Sequence, residues 1–288
     1  MSTEGPSLVG QQFLDRYEIR DEIGRGVFGI VYRGWHKQMD KTIAIKVLYQ
    51  NVEADETGFK RFHREAQSAS QLTHPNIVKI YDFGVSQEGQ PFIVMDCVPG
   101  LNLADILEAE GKLDYRRAIP IFLQTCDALN HLHSHGFLHR DIKPDNIILN
   151  DTAFQKDFLT LIDFGIAKKI KEPKNLKLTA EGTVVGTPAY MSPEQVMGRE
   201  LDNRSDIYSF GVLMFYVLSG KLPIKGGNPV ETMTKHVQED PPTIAEVCPE
   251  VKIPHALDIV LKTALKKDPG LRQNSMKDVA LQLKAILG

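Results

Sequence analysis

The sequence predicts an α+β fold in two lobes: a small five-stranded antiparallel sheet with one main helix, then a larger, mainly helical part. Three observations predict it. Short runs rich in β-branched and aromatic residues fill the first hundred positions, helical periodicity dominates the rest, and the change falls at Pro99-Gly100. At 288 residues the chain can hold one large domain or two modest lobes with a substantial core. The expected organisation is an N-terminal extension over 1–16, a sheet lobe over 17–98 and a helical lobe over 99–288.

Residues 17–23 and 30–35 read as strands, and Gly24, Gly26 and Gly29 between them mark a glycine-rich hairpin turn. A third strand follows at 42–48. Residues 59–72 suit a helix, with apolar or small side chains at Phe59, Phe62, Ala66, Ala69 and Leu72. Residues 77–83 and 91–98 return to strand. Beyond Gly100, the segments 103–110, 118–135, 204–219, 231–238, 256–266 and 275–287 suit helices, several of them closed by Pro or Gly. The strongest apolar run, 207–218, is too short to span a bilayer and contains Ser209 and Gly211, so it reads as a buried core helix.

Composition excludes several classes. With 42% hydrophobic and 25% charged residues, the chain is neither collagen-like, disordered nor a disulfide scaffold. Thirty-four basic against 37 acidic residues give a net charge of -3, so no global basic field recruits nucleic acid or acidic membrane. Cys97, Cys126 and Cys248 are odd in number and form no CxxC pair, which suits free thiols in a reducing cytosol. Residues 1–12 lack the basic start and apolar stretch of a signal peptide. The expected location is cytoplasmic, with no membrane segment and no nucleic-acid partner.

Gly24-x-Gly26-x-x-Gly29 alone also marks dinucleotide-binding folds, where a helix follows. Here residues 30–35 are extended, so the loop bridges two strands and its amides can approach phosphate oxygens. Ala44-Ile45-Lys46 puts a cation at the end of an apolar strand, where it needs an anion, and Glu65 on the next helix is a candidate partner. Taken singly, these features also suit a hairpin tip and surface charges. The decisive run is His139-Arg140-Asp141-Ile142-Lys143-Pro144-Asp145-Asn146, with Asp163-Phe164-Gly165 beginning 17 residues after Asn146.

In this order, the pieces resemble the signature set of the eukaryotic-type serine/threonine protein kinases over residues 17–287, most like the bacterial members. The resemblance implies the bilobal protein-kinase fold and transfer of the ATP γ-phosphate to Ser or Thr hydroxyls of protein substrates. It also implies ATP and Mg²⁺ as cofactors, with Mn²⁺ as the alternative metal. Phosphoryl transfer needs positioning and charge neutralisation more than covalent chemistry. Asp141 is then the base that takes the substrate hydroxyl proton, and Lys143 reaches the γ-phosphate. Asn146 and Asp163 supply the oxygen ligands that hard Mg²⁺ prefers. Lys46 holds the α- and β-phosphates, and Glu65 holds Lys46. By the same resemblance, Ile23, Val31 and Ala44 roof the adenine pocket, Ile148 floors it and Met95 is the gatekeeper. Asp96 and Val98 present the hinge carbonyl and amide. Asn102 stands where some kinases carry an acid that binds ribose and basic substrates, a departure that weakens any preference for arginine-rich peptides.

Thr187-Pro188-x-Tyr190 resembles the serine/threonine-specific P+1 loop, and Lys143 belongs to that subclass too. Ser192-Pro193-Glu194 closes the activation segment, and Glu194 is expected to pair with Arg272. Thr179 and Thr183 are the candidate autophosphorylation sites, with Arg140 the natural cation to receive a phosphate. Some bacterial relatives pair through their small lobes, so a homodimer is a further expectation. Many carry a membrane helix and a sensor domain after the kinase, and the chain reads either as a soluble kinase or as the cytoplasmic part of an anchored one. Residues 152–156 are extra before Asp163 and imply a longer hairpin. Three other readings stand beside this one: a nucleotide-binding pseudokinase scaffold, a zinc site on His131 and His135, and nucleic-acid binding through Lys168, Lys169 and Lys171.

Overall fold

Alternating apolar residues in the first hundred positions build one antiparallel sheet. Its strands are β1 (Gln12–Phe13), β2 (Tyr17–Gly26), β3 (Gly29–His36), β4 (Lys41–Leu48), β5 (Ile80–Val85) and β6 (Pro91–Asp96), in the order β1-β2-β3-β4-β6-β5. The computed structural model describes residues 8–26, 29–49, 56–164 and 187–287. These fall into two units. The first comprises described residues of 8–74 and 78–98, the second those of 75–77 and 99–287.

In the first unit, Tyr17, Ile19, Ile30, Tyr32, Ile43, Ile45, Val47, Phe92 and Val94 form the core on one sheet face. Strand alternation sends their neighbours to the other face. Helix α1 (Glu56–Ser70) lies against β5, with the Phe62 and Phe83 rings 6.5 Å apart. Six strands rather than the expected five form the sheet. The extra one, β1, is too short to show any periodicity, yet Phe13 is buried and meets Phe92 edge-to-face at 5.2 Å. The expected strand over 77–83 begins instead at Ile80, because residues 75–77 belong to the second unit. There, Asn76 O accepts from Leu161 N at 2.8 Å and Asn76 Nδ2 donates to Leu159 O at 2.7 Å.

Gly29 is required by its neighbour strand. A Cβ there would sit 2.1 Å from the Val47 carbonyl oxygen, whereas one at Gly24 would meet only Val31 Cβ at 3.9 Å. Gly29→Ala should therefore cost about 1 to 3 kcal/mol of stability, as overpacking does, and Gly24→Ala much less. Urea midpoints measure this, and equal midpoints would contradict the β3–β4 register.

The second unit contains α2 (Leu103–Glu110), α3 (Tyr115–Ser134), α4 (Pro193–Val196), α5 (Asn203–Ser219), α6 (Pro229–Gln238), α7 (Ile244–Val247), α8 (His255–Ala264) and α9 (Met276–Leu287). Helix α3 starts three residues before its apolar pattern because the Asp114 carboxylate accepts from Arg116 N. Helix α5 is buried along nearly its whole length, as an apolar run of that length requires, and stops at Gly220 with φ 70°. Among the described residues no helix is long and apolar enough to cross a membrane. The unit also holds a small sheet that helical periodicity does not announce: β7 (Leu101–Asn102), β8 (Ile147–Asn150) and β9 (Phe158–Leu161). Residues 151–157 form the longer β8–β9 hairpin, closed by Asp157 pairing with Arg117 at 2.8 Å.

Candidate active site

Beside Asp157 in the β8–β9 hairpin, with φ 50°, two residues of the second unit that flank the site adopt backbone that ordinary residues avoid. Arg140 and Asp163 both have φ 61°, a left-handed conformation costing on the order of 1 to 3 kcal/mol at each non-glycine position. Asp206, 1% exposed on the first turn of α5, stabilises the first of them. Its carboxylate accepts from His139 N at 2.8 Å and Arg140 N at 2.9 Å, and lies 2.8 Å from His133 Nε2. Burial works against that charge, but His133, His139 and the Arg140 amide outweigh it and hold the carboxyl below the usual range. Behind the loop, the buried His139 ring accepts from Asp141 N on Nδ1 at 3.3 Å. Its Nε2 faces Ile162 O at 3.2 Å, so the ring ties Asp141 to the residue before Asp163.

On this frame three of the predicted catalytic residues, Asp141, Lys143 and Asn146, converge. Asn146 Nδ2 donates to Asp141 O at 2.7 Å and to Asp141 Oδ2 at 3.2 Å. Lys143 Nζ lies 3.5 Å from Asp141 Oδ2 and donates to Thr187 Oγ1 at 3.2 Å. The 3-10 turn Pro144–Asn146, with proline at its start, gives the chain the tight return that brings Asn146 back to Asp141. Because Nδ2 of Asn146 faces two oxygens, Oδ1 is the atom this amide presents to a cation. Ile162 N donates to Asn146 O at 2.9 Å, which places the exposed Asp163 next to a residue bonded to Asn146. An amide oxygen and a carboxylate form a hard donor set, which fits Mg²⁺ and not a soft metal.

The remaining predicted residues are placed by sheet register. Val31 pairs with Lys46, Lys46 with Ile93, and Ala44 with Met95, so Val31, Ala44, Lys46 and Met95 share the sheet face opposite the core. Lys46 and Glu65 are 7% and 8% exposed, a degree of burial that charged groups tolerate only when paired. Gly24, Gly26 and Gly29 flank the β2–β3 turn, and Ile23, at an irregularity in β2, is 44% exposed. Lys41 Nζ and Tyr81 OH both hydrogen-bond Asp96 Oδ1, pinning the end of β6 that leads to Val98. In the second unit, Asn102 and Ile148 pair across β7 and β8. Asn102 also caps α2, accepting from Asp105 N at 2.8 Å.

Thr187 leads into a 3-10 turn at Pro188–Tyr190, followed by the Ser192 and Gln195 capping box of α4. Gln195 Nε2 donates to Arg140 O at 3.3 Å. The expected Glu194–Arg272 pair is present and buried, with Arg272 Nη1 and Nη2 donating to the two carboxylate oxygens at 2.7 and 2.9 Å. His236 on α6 is fully buried with Nε2 3.1 Å from Ala189 O. Burial first, and then the Lys267 charge, push it down to about 4, against an opposing contribution from the Ala189 carbonyl. Since the unfolded imidazole titrates near 6.5, only the unfolded chain gains this proton between about pH 6.5 and 4, and stability falls as pH drops through that window. The loss attributable to His236 should be on the order of 3 kcal/mol, and should be missing from His236→Gln when denaturation is followed against pH.

Thr179, Thr183 and the lysines at 168, 169 and 171 lie outside the described residues. The His131 and His135 rings lie with centroids 4.4 Å apart, tilted by 39°. Sequence reasoning missed Lys41, Tyr81 and His236, and the contact of Gln195 with Arg140. Each of these contacts joins residues at least 15 positions apart, and the local Ser192-x-x-Gln195 capping pattern does not announce the last of them.

A family model described as protein kinase domain matches residues 17–282. Serine/threonine-protein kinase pkn3 of Myxococcus xanthus is 38% identical over 279 residues, covering 96% of this chain and 51% of the relative. PknB of Mycolicibacterium smegmatis is 38% identical over 280 residues, covering 95% and 43%. The chain thus spans about half the length of the curated relatives it matches. A crystal structure of the Mycobacterium tuberculosis PknI kinase domain is similar at a TM-score of 0.72 and 26% identity, covering 96% of this chain and 98% of that one.

Proposed function

Because the chain belongs to the protein kinase domain family, we propose that it is a serine/threonine protein kinase, transferring the γ-phosphate of ATP to Ser and Thr hydroxyls of proteins, its own activation segment included. The family uses ATP and a divalent metal, and Mg²⁺ is the metal proposed here. One observation carries the reading: Asp141, Lys143, Asn146 and Thr187 meet within a single hydrogen-bonded cluster. Cytoplasmic location is part of the proposal, in keeping with three cysteines that form no disulfide.

Each residue has a task that its surroundings support. Asp141 accepts the proton of the acceptor hydroxyl, and Asn146 fixes the carboxylate by donating to one of its oxygens. Lys143, between Asp141 and Thr187, supplies positive charge beside the transferred phosphoryl oxygens and orients the loop that receives the acceptor. Asn146 Oδ1 and Asp163 would hold the metal, which when bound neutralises charge on the phosphate oxygens. In the first unit, Lys46 would hold the α- and β-phosphates with Glu65 as its counter-charge. The face carrying Val31, Ala44 and Met95, with Ile23, would receive adenine, Asp96 and Val98 offering it backbone polar groups.

Lys143 beside Thr187 favours Ser and Thr acceptors over Tyr. The test is phosphoamino-acid analysis after incubation with γ-labelled ATP, Mg²⁺ and a degenerate peptide array. Label is expected on serine and threonine. Label mainly on tyrosine would overturn the acceptor assignment, and a folded chain that hydrolyses no ATP and labels no peptide would favour the scaffold reading.

A further inference from the structure

The turn that follows Thr187 is held by two buried side chains and a half-buried lysine, none with a part in phosphate transfer itself. His236 Nε2 lies 3.1 Å from Ala189 O, and its Nδ1 lies 3.0 Å from the hydroxyl of Tyr208 on α5. Lys267 Nζ reaches that hydroxyl at 3.2 Å and His236 O at 2.9 Å. His236 and Tyr208 are both fully buried.

The directions follow from the groups. A carbonyl only accepts, so His236 Nε2 carries the proton and Nδ1 accepts from the Tyr208 hydroxyl. Lys267 only donates, so the Tyr208 oxygen accepts its hydrogen bond. The chain runs one way, from Lys267 through Tyr208 and His236 to the Ala189 carbonyl. Tyr208 also lies beneath the Arg272 guanidinium, 4.9 Å from ring centroid to Cζ, so the relay adjoins the Glu194 anchor. The turn is thereby fixed at two points: at Thr187 by Lys143, and at Ala189 by His236.

We infer that His236 is a positioning residue for the protein acceptor, setting the turn that receives the residue next to the phosphorylated Ser or Thr. This rests on the proposed role of Thr187 and Pro188 in acceptor binding. A turn held by the relay binds its peptide without first being ordered, and a turn released from it loses that advantage. The effect therefore falls on acceptor KM and spares ATP.

The test uses an acceptor peptide selected from a degenerate Ser/Thr array by the unsubstituted chain. His236→Phe keeps a planar aromatic ring and removes both hydrogen bonds. It should raise acceptor KM about tenfold and leave the KM for ATP within about twofold. His236→Gln, whose amide can donate to Ala189 O, should recover most of the loss. Unchanged acceptor KM in folded His236→Phe, or equal losses for ATP and peptide, would overturn the inference. If that variant does not fold, Tyr208→Phe decides the matter, with acceptor KM expected to rise about threefold and an unchanged value counting against the relay. Thr187→Ala separates the two layers. Acceptor KM raised by Thr187→Ala but not by the relay variants removes this inference alone, and acceptor KM unmoved by Thr187→Ala removes the reading of the turn beneath it.

Discussion

Asp141→Asn is expected to lower phosphoryl transfer by about 10²- to 10⁴-fold, the range a positioned general base contributes. The substitution keeps the side-chain shape and removes the charge. Asp141 now accepts from Asn146 Nδ2 at 3.2 Å and faces Lys143 Nζ at 3.5 Å. An amide in its place can still accept from Asn146, but it takes no proton from the acceptor and does not balance the lysine. The loop itself should persist, because its left-handed turn is held by Asp206 through the amides of His139 and Arg140. Thermal midpoints of the two proteins should therefore agree within a few degrees while their transfer rates separate.

Arg272→Ala should produce the largest loss of stability, about 3 to 5 kcal/mol, as expected when one partner of a buried ion pair is removed. Its guanidinium donates to both Glu194 oxygens and to the carbonyls of Lys266, Arg204 and Lys267. Burial alone would raise the Glu194 pKa, yet Arg272 outweighs it and holds the carboxyl below its ordinary range. A carboxylate with a depressed folded pKa stabilises above the unfolded value near 4.5, and that stability is lost as pH falls through the folded value. Without Arg272 the buried carboxylate is left uncompensated, and protonation relieves it. The gap between wild type and Arg272→Ala should be widest near neutral pH and narrow below about pH 4.5. Arg272→Lys should fall between the two, since an ammonium cannot donate bidentately to both oxygens. Chemical denaturation at several pH values measures all of this.

What could be read from the sequence follows the range of the interaction. Helix α2 and the β2–β3 hairpin are set by nearby residues, by Asn102 capping Asp105 and by the glycine spacing, so local patterns found them. The catalytic cluster was legible because Asp141, Lys143 and Asn146 lie within six positions. The strand expected at 77–83 failed at its start because Asn76 bonds to residues more than 80 positions away. Strand β1 escaped for another reason: two residues carry no period, and only the Phe92 ring shows what Phe13 packs against. His236 escaped most completely, since a histidine on an amphipathic helix gives no sign that it caps a carbonyl 47 residues earlier.

The most direct test of the central claim is phosphate transfer from γ-labelled ATP with Mg²⁺ to a Ser/Thr peptide, run side by side on the unsubstituted chain and Asp141→Asn. Rapid labelling is expected from the first and labelling at least about 100-fold slower from the second. Equal rates in the two would contradict the claim, since transfer would then owe nothing to the cluster built around Asp141.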